Sequence, residues 1–201
     1  MYYIEVDIRA ATQSAQSDED IARQVQAGQT EAFGVLVERY QDKLLRYGRR
    51  FLSDPVDIED IVQDVFVSAY ENFQSFDVKK RFSPWIYRIA HNAFVNRLRK
   101  SSRLIPGGFD FDTLIAHLPY EDPAENERGQ REVRAMIDKS LAQISAKYRE
   151  VLILYYLEEL DYKEIADVLE VPSGTVGVRL RRGREALRKA YENLDPYYDS
   201  H

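Results

Sequence analysis

The sequence contains no cysteine and only three histidines among its 201 residues. The lack of cysteine excludes disulfide bonds, and His91, His117 and His201 stand too far apart for the common zinc-ligand spacings. We therefore expect no metal and no other cofactor. No stretch approaches the roughly 20 apolar residues that a membrane-spanning helix needs, and the N-terminus lacks a basic start followed by an apolar run. We expect a cytoplasmic chain with no segment inserted in a membrane.

Glycine and proline are also few, with nine and seven residues respectively. Apolar residues recur instead at steps of three and four, which is typical of amphipathic helices. The sequence predicts an all-α fold of two small helical modules. Residues 17–103 form the first, with four helices, and residues 131–193 form the second, with a helix-turn-helix.

An irregular acidic linker, residues 104–130, joins the two modules. It contains six of the glycines and prolines, and its length without periodicity favours modules that can sit apart. Residues 2–9 alternate apolar and polar side chains as a strand does, although chain termini are usually frayed. We expect residues 196–201 to be disordered.

Several polar residues precede the predicted helices and are expected to cap them. Ser17, with Asp20 three residues later, opens the first helix, which Gly28 ends. The remaining predicted caps are Asp57, Ser83 (before Pro84), Ser145, Asp161 and Ser173.

The formal net charge of -6 conceals a strong segregation of charge along the chain. Residues 79–103 contain eight basic residues and no acid, and residues 171–190 contain six basic residues against one acid. Residues 54–64 contain five acids and no base. This division predicts one face that binds phosphates and another that binds a basic protein surface.

The segment DYKEIADVLEVPSGTVGVRLRRGREAL, residues 161–187, has the pattern of a helix-turn-helix. Ala166 is small enough for two helices to cross closely, and Val176 can insert beside Ile165 and Leu180. The first turn of the second helix offers hydroxyls to a phosphate, and arginines follow on the same helix. The candidate DNA contacts are Ser173, Thr175, Arg179, Arg181, Arg182 and Arg184. The alternative is an ordinary solvated helical hairpin.

The segment RFSPWIYRIAHNAFVNRLRKSSR, residues 81–103, interleaves aromatic and basic residues, and FQSFDVKK precedes it. Such a combination is typical of single-stranded nucleic-acid binding. Lys79, Lys80, Arg88, Arg97 and Arg99 are candidates for backbone contacts, and Asn92 and Asn96 for base edges. Phe76, Phe82, Trp85 and Tyr87 are candidate stacking platforms, although Trp85 shares an apolar stripe with Ile89 and fits a core position better than a platform.

The segment SDPVDIEDIVQDVFVSAYENF, residues 53–73, places Asp57, Asp60 and Asp64 along one helical face, with Gln63 extending it. Acids in a first turn favour the helix dipole, which by itself explains part of the pattern. A dinuclear carboxylate metal site is disfavoured because no histidine has the required spacing. Docking on a basic partner helix accounts for the polar face beyond the first turn.

Taken in order, EDIVQDVFVSAYENFQSF, FSPWIYRIAHNAFVNRLRK and the helix-turn-helix segment resemble the extracytoplasmic-function sigma factors of bacterial RNA polymerase, over residues 17–190. The resemblance implies a sigma-2-like module, whose Asp57, Asp60, Gln63 and Asp64 bind the clamp helices of the largest polymerase subunit. It also implies that Arg81 joins the candidates above in recognising and melting the minus-ten element.

The same resemblance implies a sigma-4-like module that reads the minus-thirty-five element and binds the flap of the second-largest subunit. The linker would thread toward the active cleft, and an anti-sigma factor would be a further partner. Two positions depart from the family pattern. Glu170 occupies a turn where glycine is usual, and Gly177 and Val178 replace a basic and a small polar residue on the recognition helix.

Two rival functions remain. A transcription regulator would use the helix-turn-helix alone, with a first module that senses a ligand or dimerises, but it would not need a second basic and aromatic block. An enzyme is disfavoured because the sequence has no glycine-rich phosphate loop, nucleophile elbow or acid pair with a histidine.

Overall fold

The computed structural model describes residues 16–102 and 136–194, without the side chains of residues 101 and 102. Every regular element within those two ranges is a helix, as predicted. None of these described helices is long and apolar enough to cross a membrane. The alternating segment 2–9, the linker 104–130 and the tail 196–201 lie outside the described residues.

The first module contains four α-helices, which confirms the predicted number. They are α1 (Asp18–Gln26), α2 (Ala32–Gly48), α3 (Pro55–Glu71) and α4 (Phe82–Ser102), with a short 3-10 helix (Phe73–Ser75) after α3. Their apolar stripes meet in a core that is rich in aromatic rings. Phe51 continues the stripe of α2 although it lies beyond the helix end, and its ring stacks on Phe94 of α4 at 5.5 Å.

Two of the predicted helix starts in this module are wrong by a few residues. The N-cap of α3 is Asp54, whose side chain accepts from the Val56 amide, and Asp57 lies in the first turn. The helix starts early because Pro55 has no N–H to lose and has its φ already set for a helix. α4 begins at Phe82, ahead of Ser83, because the carboxylate of Glu19 on α1 accepts the Phe82 amide at 2.9 Å. The cap at Ser17 is confirmed.

The second module contains helical residues 136–142 followed by α5 (Ala146–Tyr156), α6 (Tyr162–Leu169) and α7 (Ser173–Leu194). Asp161 forms a full capping box with Glu164, as predicted for the start of α6. The side chain of Ser145 makes no cap bond; its carbonyl accepts the first amides of α5 instead. Ser173 is the first residue of α7 and not its cap.

The packing of the helix-turn-helix follows the predicted pattern. Ile165, Val176 and Leu180 are fully buried between α6 and α7, and Ala166 is buried where the helices cross. Glu170 ends α6 in the left-handed conformation, with φ 53° and ψ 44°, at the turn where glycine is usual. The backbone there carries the strain expected of a non-glycine residue.

The two modules contact each other, whereas the long linker favoured modules that sit apart. α4 of the first module packs against α6 of the second. At the edge of this contact the Arg81 guanidinium lies 2.9 Å from the Glu164 carboxylate. The sequence contains no signal for this arrangement because the residues involved are separated by 83 positions.

Candidate functional site

The acidic face of α3 is exposed to solvent at three of its four candidate residues. Asp60, Gln63 and Asp64 are exposed, whereas Asp57 is half-buried. Arg97 of α4 donates through one nitrogen to both carboxylate oxygens of Asp57, at 2.7 and 2.8 Å. Hydrogen bonding to Asp57 raises the pKa of Arg97 above its ordinary value. A candidate for polymerase binding and a candidate for DNA binding are therefore paired with each other.

Three exposed apolar side chains extend this acidic face, and the sequence analysis missed them. Val56, Val67 and Tyr70 are 64%, 56% and 45% exposed. Together with Asp60 and Gln63 they follow steps of four and three along α3, so they share one helical face. The sequence contained a signal for them, because their positions fall outside the buried apolar stripe of α3. The face presents apolar and acidic groups together, which suits a partner helix with apolar and basic residues.

The basic candidates on α4 also share one exposed face. Arg88, Asn92, Asn96 and Arg99 follow steps of four, four and three, and all four are exposed. Neither asparagine is held in a hydrogen bond among the described side chains, so both amides are available to a partner. The face therefore combines cationic groups with side chains that can donate and accept at base edges.

The loop before α4 carries the remaining basic candidates beside a cleft. Asp77 organises this loop, since its side chain accepts the Lys79 amide at 3.0 Å and its carbonyl accepts the Lys80 amide at 2.9 Å. The cleft, of about 360 Å³, is lined by Ser75, Phe76, Asp77, Lys80, Arg81, Pro84, Trp85, Arg88, Glu164 and Asp167. Basic groups of the first module thus face two carboxylates of the second.

The aromatic side chains around the loop are mostly part of the core. Phe76, Phe82 and Tyr87 are buried, with at most 4% of their surface exposed, so they offer no stacking face in this conformation. Trp85 is only half-buried, packs against Phe76 at 5.1 Å and lines the cleft. It is both a core residue and the one aromatic of the four with an accessible surface.

The six candidates on α7 do not all lie on one face. Thr175, Arg179 and Arg182 follow steps of four and three and share a face. Arg181 lies 3.7 Å from Glu185, and the Arg184 guanidinium lies 6.0 Å from the centre of the Tyr156 ring. Ser173 is exposed at the start of the helix. Thr175, Arg179 and Arg182 therefore form the most coherent phosphate-binding set.

Titratable groups are buried where the modules meet. Burial raises the pKa of Glu158, which precedes α6, while Tyr87, Lys43, Arg46 and Arg50 of the first module oppose that shift. Burial raises the pKa of Tyr47 on α2, and the nearby Glu150 and Glu158 of the second module raise it further. No cluster of three or more metal-ligating side chains occurs in the parts of the chain that the structure describes.

Comparisons with known proteins match both modules. The Sigma-70 region 2 family matches residues 36–104, and the Sigma-70 region 4 family matches residues 134–187. The ECF RNA polymerase sigma factor SigW of Bacillus subtilis is 35% identical over 178 residues, which cover 86% of this chain and 95% of SigW. The ECF RNA polymerase sigma-E factor of Escherichia coli K12 is 33% identical over 185 residues, covering 89% of this chain and 96% of that protein.

Solved structures share the fold. CnrH, in complex with the cytosolic domain of CnrY, is similar with a TM-score of 0.65 and 26% identity, over 90% of this chain and all of CnrH. RpoE of Bartonella quintana, in complex with the anti-sigma factor NepR, has a TM-score of 0.63 at 22% identity, over 80% of this chain and 96% of RpoE. The chain therefore belongs to the extracytoplasmic-function sigma factors of the sigma-70 family.

Proposed function

We propose that the two modules divide promoter recognition between them, as sigma-2-like and sigma-4-like domains at residues 17–103 and 131–193. The family assigns the overall role: the chain is an alternative sigma factor, which binds core RNA polymerase and directs it to promoters. The observation that carries the division of labour is the separation of charge into one acidic face on α3 and two basic faces, on α4 and α7. In this proposal residues 104–130 are the linker that connects the two.

The acidic face of α3 is the proposed docking surface for the clamp helices of the largest polymerase subunit. Asp60, Gln63 and Asp64 supply the polar contacts, flanked by the exposed apolar groups at Val56 and Val67. Complementary charge accelerates association, and the apolar groups add buried area. Asp57 contributes less directly because its carboxylate is already bound by Arg97.

Replacement of Asp60 and Asp64 with alanine tests this surface. We expect weaker association with core polymerase and an unchanged fold, because both side chains are exposed. Glu38→Ala with Asp42→Ala is the matched control: these two acids are also exposed and four residues apart, on α2. Affinity for core polymerase is measured by competition with the unmodified chain. Equal affinities of the two double variants would remove the docking role.

The basic loop and face around α4 are the proposed minus-ten site. This site suits a single DNA strand whose nucleobases are unpaired. The exposed lysine and arginine side chains near the cleft can contact the phosphate backbone of the strand, and the Trp85 ring can stack on a nucleobase. Asn92 and Asn96 stand between cationic neighbours and suit base edges. The residues of this proposed site are Lys79, Lys80, Arg81, Arg88, Asn92, Asn96, Arg97 and Arg99.

The start and exposed faces of α7 are the proposed minus-thirty-five site, formed by Ser173, Thr175, Arg179, Arg181, Arg182 and Arg184. Replacement of Arg179 and Arg182 with alanine should weaken duplex binding by the holoenzyme. Each lost phosphate contact reduces the magnitude of the slope of log K against log salt concentration by about 0.9. The slope of the double variant should therefore be smaller in magnitude by about 1.8. Arg188→Ala with Lys189→Ala removes the same charge further along α7 and should leave the slope nearly unchanged.

The same role implies two further partners. We propose the flap of the second-largest polymerase subunit as a second contact, made by the second module, and an anti-sigma factor as a regulator. Support for the latter is that CnrH is solved with CnrY bound. The chain acts in the cytoplasm, where core polymerase is, and performs no catalysis of its own. Run-off transcription by purified chain and core polymerase on genomic templates tests the whole proposal; failure to start at any template would overturn it.

A further inference from the structure

The helix α1 is hydrogen-bonded to both ends of the basic loop that precedes α4. We define the minus-ten loop as the five residues between Phe76 and Phe82. Before the loop, the Gln26 side chain donates through Nε2 to the carbonyls of Phe73 and Phe76, at 3.0 and 2.8 Å. After the loop, the Glu19 carboxylate accepts the Phe82 amide at 2.9 Å. Gln26 and Glu19 both belong to α1, so one helix fixes the loop at its start and at its end.

The positions and chemistry of these two side chains suit that role. Glu19 and Gln26 are seven residues apart, which is close to two helical turns. Their side chains therefore leave the same face of α1, about 10 Å apart along the helix axis. The donor of Gln26 is identified by its partners, because a carbonyl oxygen only accepts and the amide nitrogen supplies two hydrogens. Gln26 thus matches the two carbonyls in both the number and the type of hydrogen bond.

α1 is itself packed against the rest of the module, so it can support the loop. Three of its nine residues are apolar and buried. At its start, the Asp18 carboxylate accepts from Arg39 at 2.6 Å and from the Tyr40 hydroxyl at 2.5 Å, and both partners lie on α2. Groups on a packed helix keep their positions more exactly than groups on a loop. The ends of the minus-ten loop are therefore bonded to a well-supported part of the module.

The minus-ten loop has little support between its two ends. Asp77 closes one turn inside it, and the side chains of Lys79, Lys80 and Arg81 are exposed. A segment with few buried contacts opens locally at low cost unless other bonds fix it. The bonds to α1 therefore restrict the shapes of the loop, and with them the positions of the two lysine ammonium groups relative to the Trp85 ring.

We propose that Glu19 and Gln26 are positioning residues for the minus-ten strand: α1 fixes both ends of the loop, and so places its lysines and the Trp85 ring to receive unpaired nucleobases. This inference rests on the proposed function of the loop. Neither residue needs to touch DNA. A loop free to take other shapes binds only through its competent fraction, and the apparent dissociation constant rises as that fraction falls.

The size of the effect follows from the number of bonds. One hydrogen bond of ordinary net strength changes a local equilibrium about fivefold. The turn at Asp77 and the buried rings of Phe76 and Phe82 remain when the bonds to α1 are removed. A fall of the competent fraction to between about one tenth and one third weakens strand binding by about threefold to tenfold.

Replacement by methionine removes the bonds with little change in volume. Gln26→Met has no donor for the two carbonyls, and Glu19→Met offers the Phe82 amide only a weakly accepting sulfur. We call these the brace variants. Glu19→Gln is the conservative variant, because its amide oxygen can still accept the Phe82 amide. Gln24→Met is the matched control: it makes the same change on α1, where the Gln24 side chain bonds Gln16 and not the loop.

The first experiment measures the shape of the loop in the full chain. Hydrogen exchange followed by mass spectrometry reports its amides, of which those of Lys79, Lys80 and Phe82 are bonded in the parent. We expect both brace variants to exchange these amides at least about threefold faster than the parent and the control. The amides of α2 should exchange as in the parent, because the core of the module is unchanged.

The second experiment measures binding of the full chain to a fluorescent mixed-sequence single strand of DNA. We expect both brace variants to bind about threefold to tenfold more weakly than the parent, and Glu19→Gln and the control to bind within about twofold of it. The salt dependence separates positioning from contact. In Gln26→Met the bound strand meets the same cations, so the slope of log K against log salt concentration should equal that of the parent. Lys79→Ala should reduce the magnitude of that slope by about 0.7.

The outcomes separate this inference from the proposed function. Unchanged exchange of the loop amides in both brace variants overturns the support of the loop by α1. Faster exchange with strand affinity equal to that of the control overturns the positioning role, and so does a smaller salt slope in Gln26→Met. Faster exchange, weaker binding and an unchanged slope support it. Failure of the parent chain to bind the strand at any salt concentration removes the proposed minus-ten function, and the positioning role with it.

Discussion

His91 is a half-buried histidine that packs against aromatic side chains of the first module. Its Nδ1 lies 3.0 Å from the Tyr47 hydroxyl oxygen, and its ring centre lies 5.8 Å from that of Phe51. Burial lowers the pKa of His91 to about 4, with a further contribution from the positive charge of Arg99. In the unfolded chain the ordinary value of 6.5 returns. His91 is therefore neutral in the folded protein at pH values where the unfolded chain is partly protonated.

The direction of the effect on stability follows from proton binding. As the pH falls from 6.5 toward 4, the unfolded chain binds a proton that the folded protein excludes, so the free energy of unfolding decreases. The whole shift corresponds to about 3.4 kcal/mol at 1.36 kcal/mol per pKa unit. Between pH 7.5 and pH 5.5 the loss from this one group should be about 1.3 kcal/mol.

Urea unfolding at these two pH values measures the loss. Trp85 is the only tryptophan and lies on α4 with His91, so its fluorescence reports the module concerned. His91→Asn keeps a group able to bond the Tyr47 hydroxyl but cannot titrate. All other titratable groups contribute equally to the parent and the variant. Between pH 7.5 and pH 5.5 the free energy of unfolding of the variant should therefore decrease by about 1.3 kcal/mol less than that of the parent. An equal loss in parent and variant would refute the burial argument.

The remaining predictions concern a close packing contact, a strained turn and the minus-ten face. Gly48→Ala places a methyl group about 2.7 Å from Cγ2 of Ile58 on α3 and should lower the free energy of unfolding, measured in urea, by about 1–3 kcal/mol. The control is Gly34→Ala on the same helix, whose methyl group meets nothing within 4 Å and should not lower the free energy of unfolding. Glu170→Gly relieves the left-handed turn and should raise the free energy of unfolding, followed by circular dichroism, by about 0.5–1 kcal/mol; no gain would mean no strain. Replacement of Asn92 and Asn96 with alanine should impair strand opening, detected with permanganate, more than closed-complex formation. Equal losses in the two assays would contradict base reading.

Local sequence patterns were sufficient for the helices and for most of their ends. The apolar stripes on both modules repeat with the helical period over several turns, and this signal depends only on neighbours in the chain. Asp161 and Glu164 form their capping box within four residues, so the sequence alone predicted it. The start of α4 was missed because Glu19, which accepts the Phe82 amide, is 63 residues away.

The candidate site was likewise predictable from the sequence only in part. The sequence by itself determined which helices carry acidic and basic faces, because charge and spacing along one helix are local properties. Only the tertiary structure decided which of those charges remain open to a partner. It paired Asp57 with Arg97, buried Phe82 and Tyr87, and placed Glu164 against Arg81. Each of these depends on side chains brought together from distant positions by the packing of α3, α4 and α6, and periodicity along one helix contains no information about its neighbours.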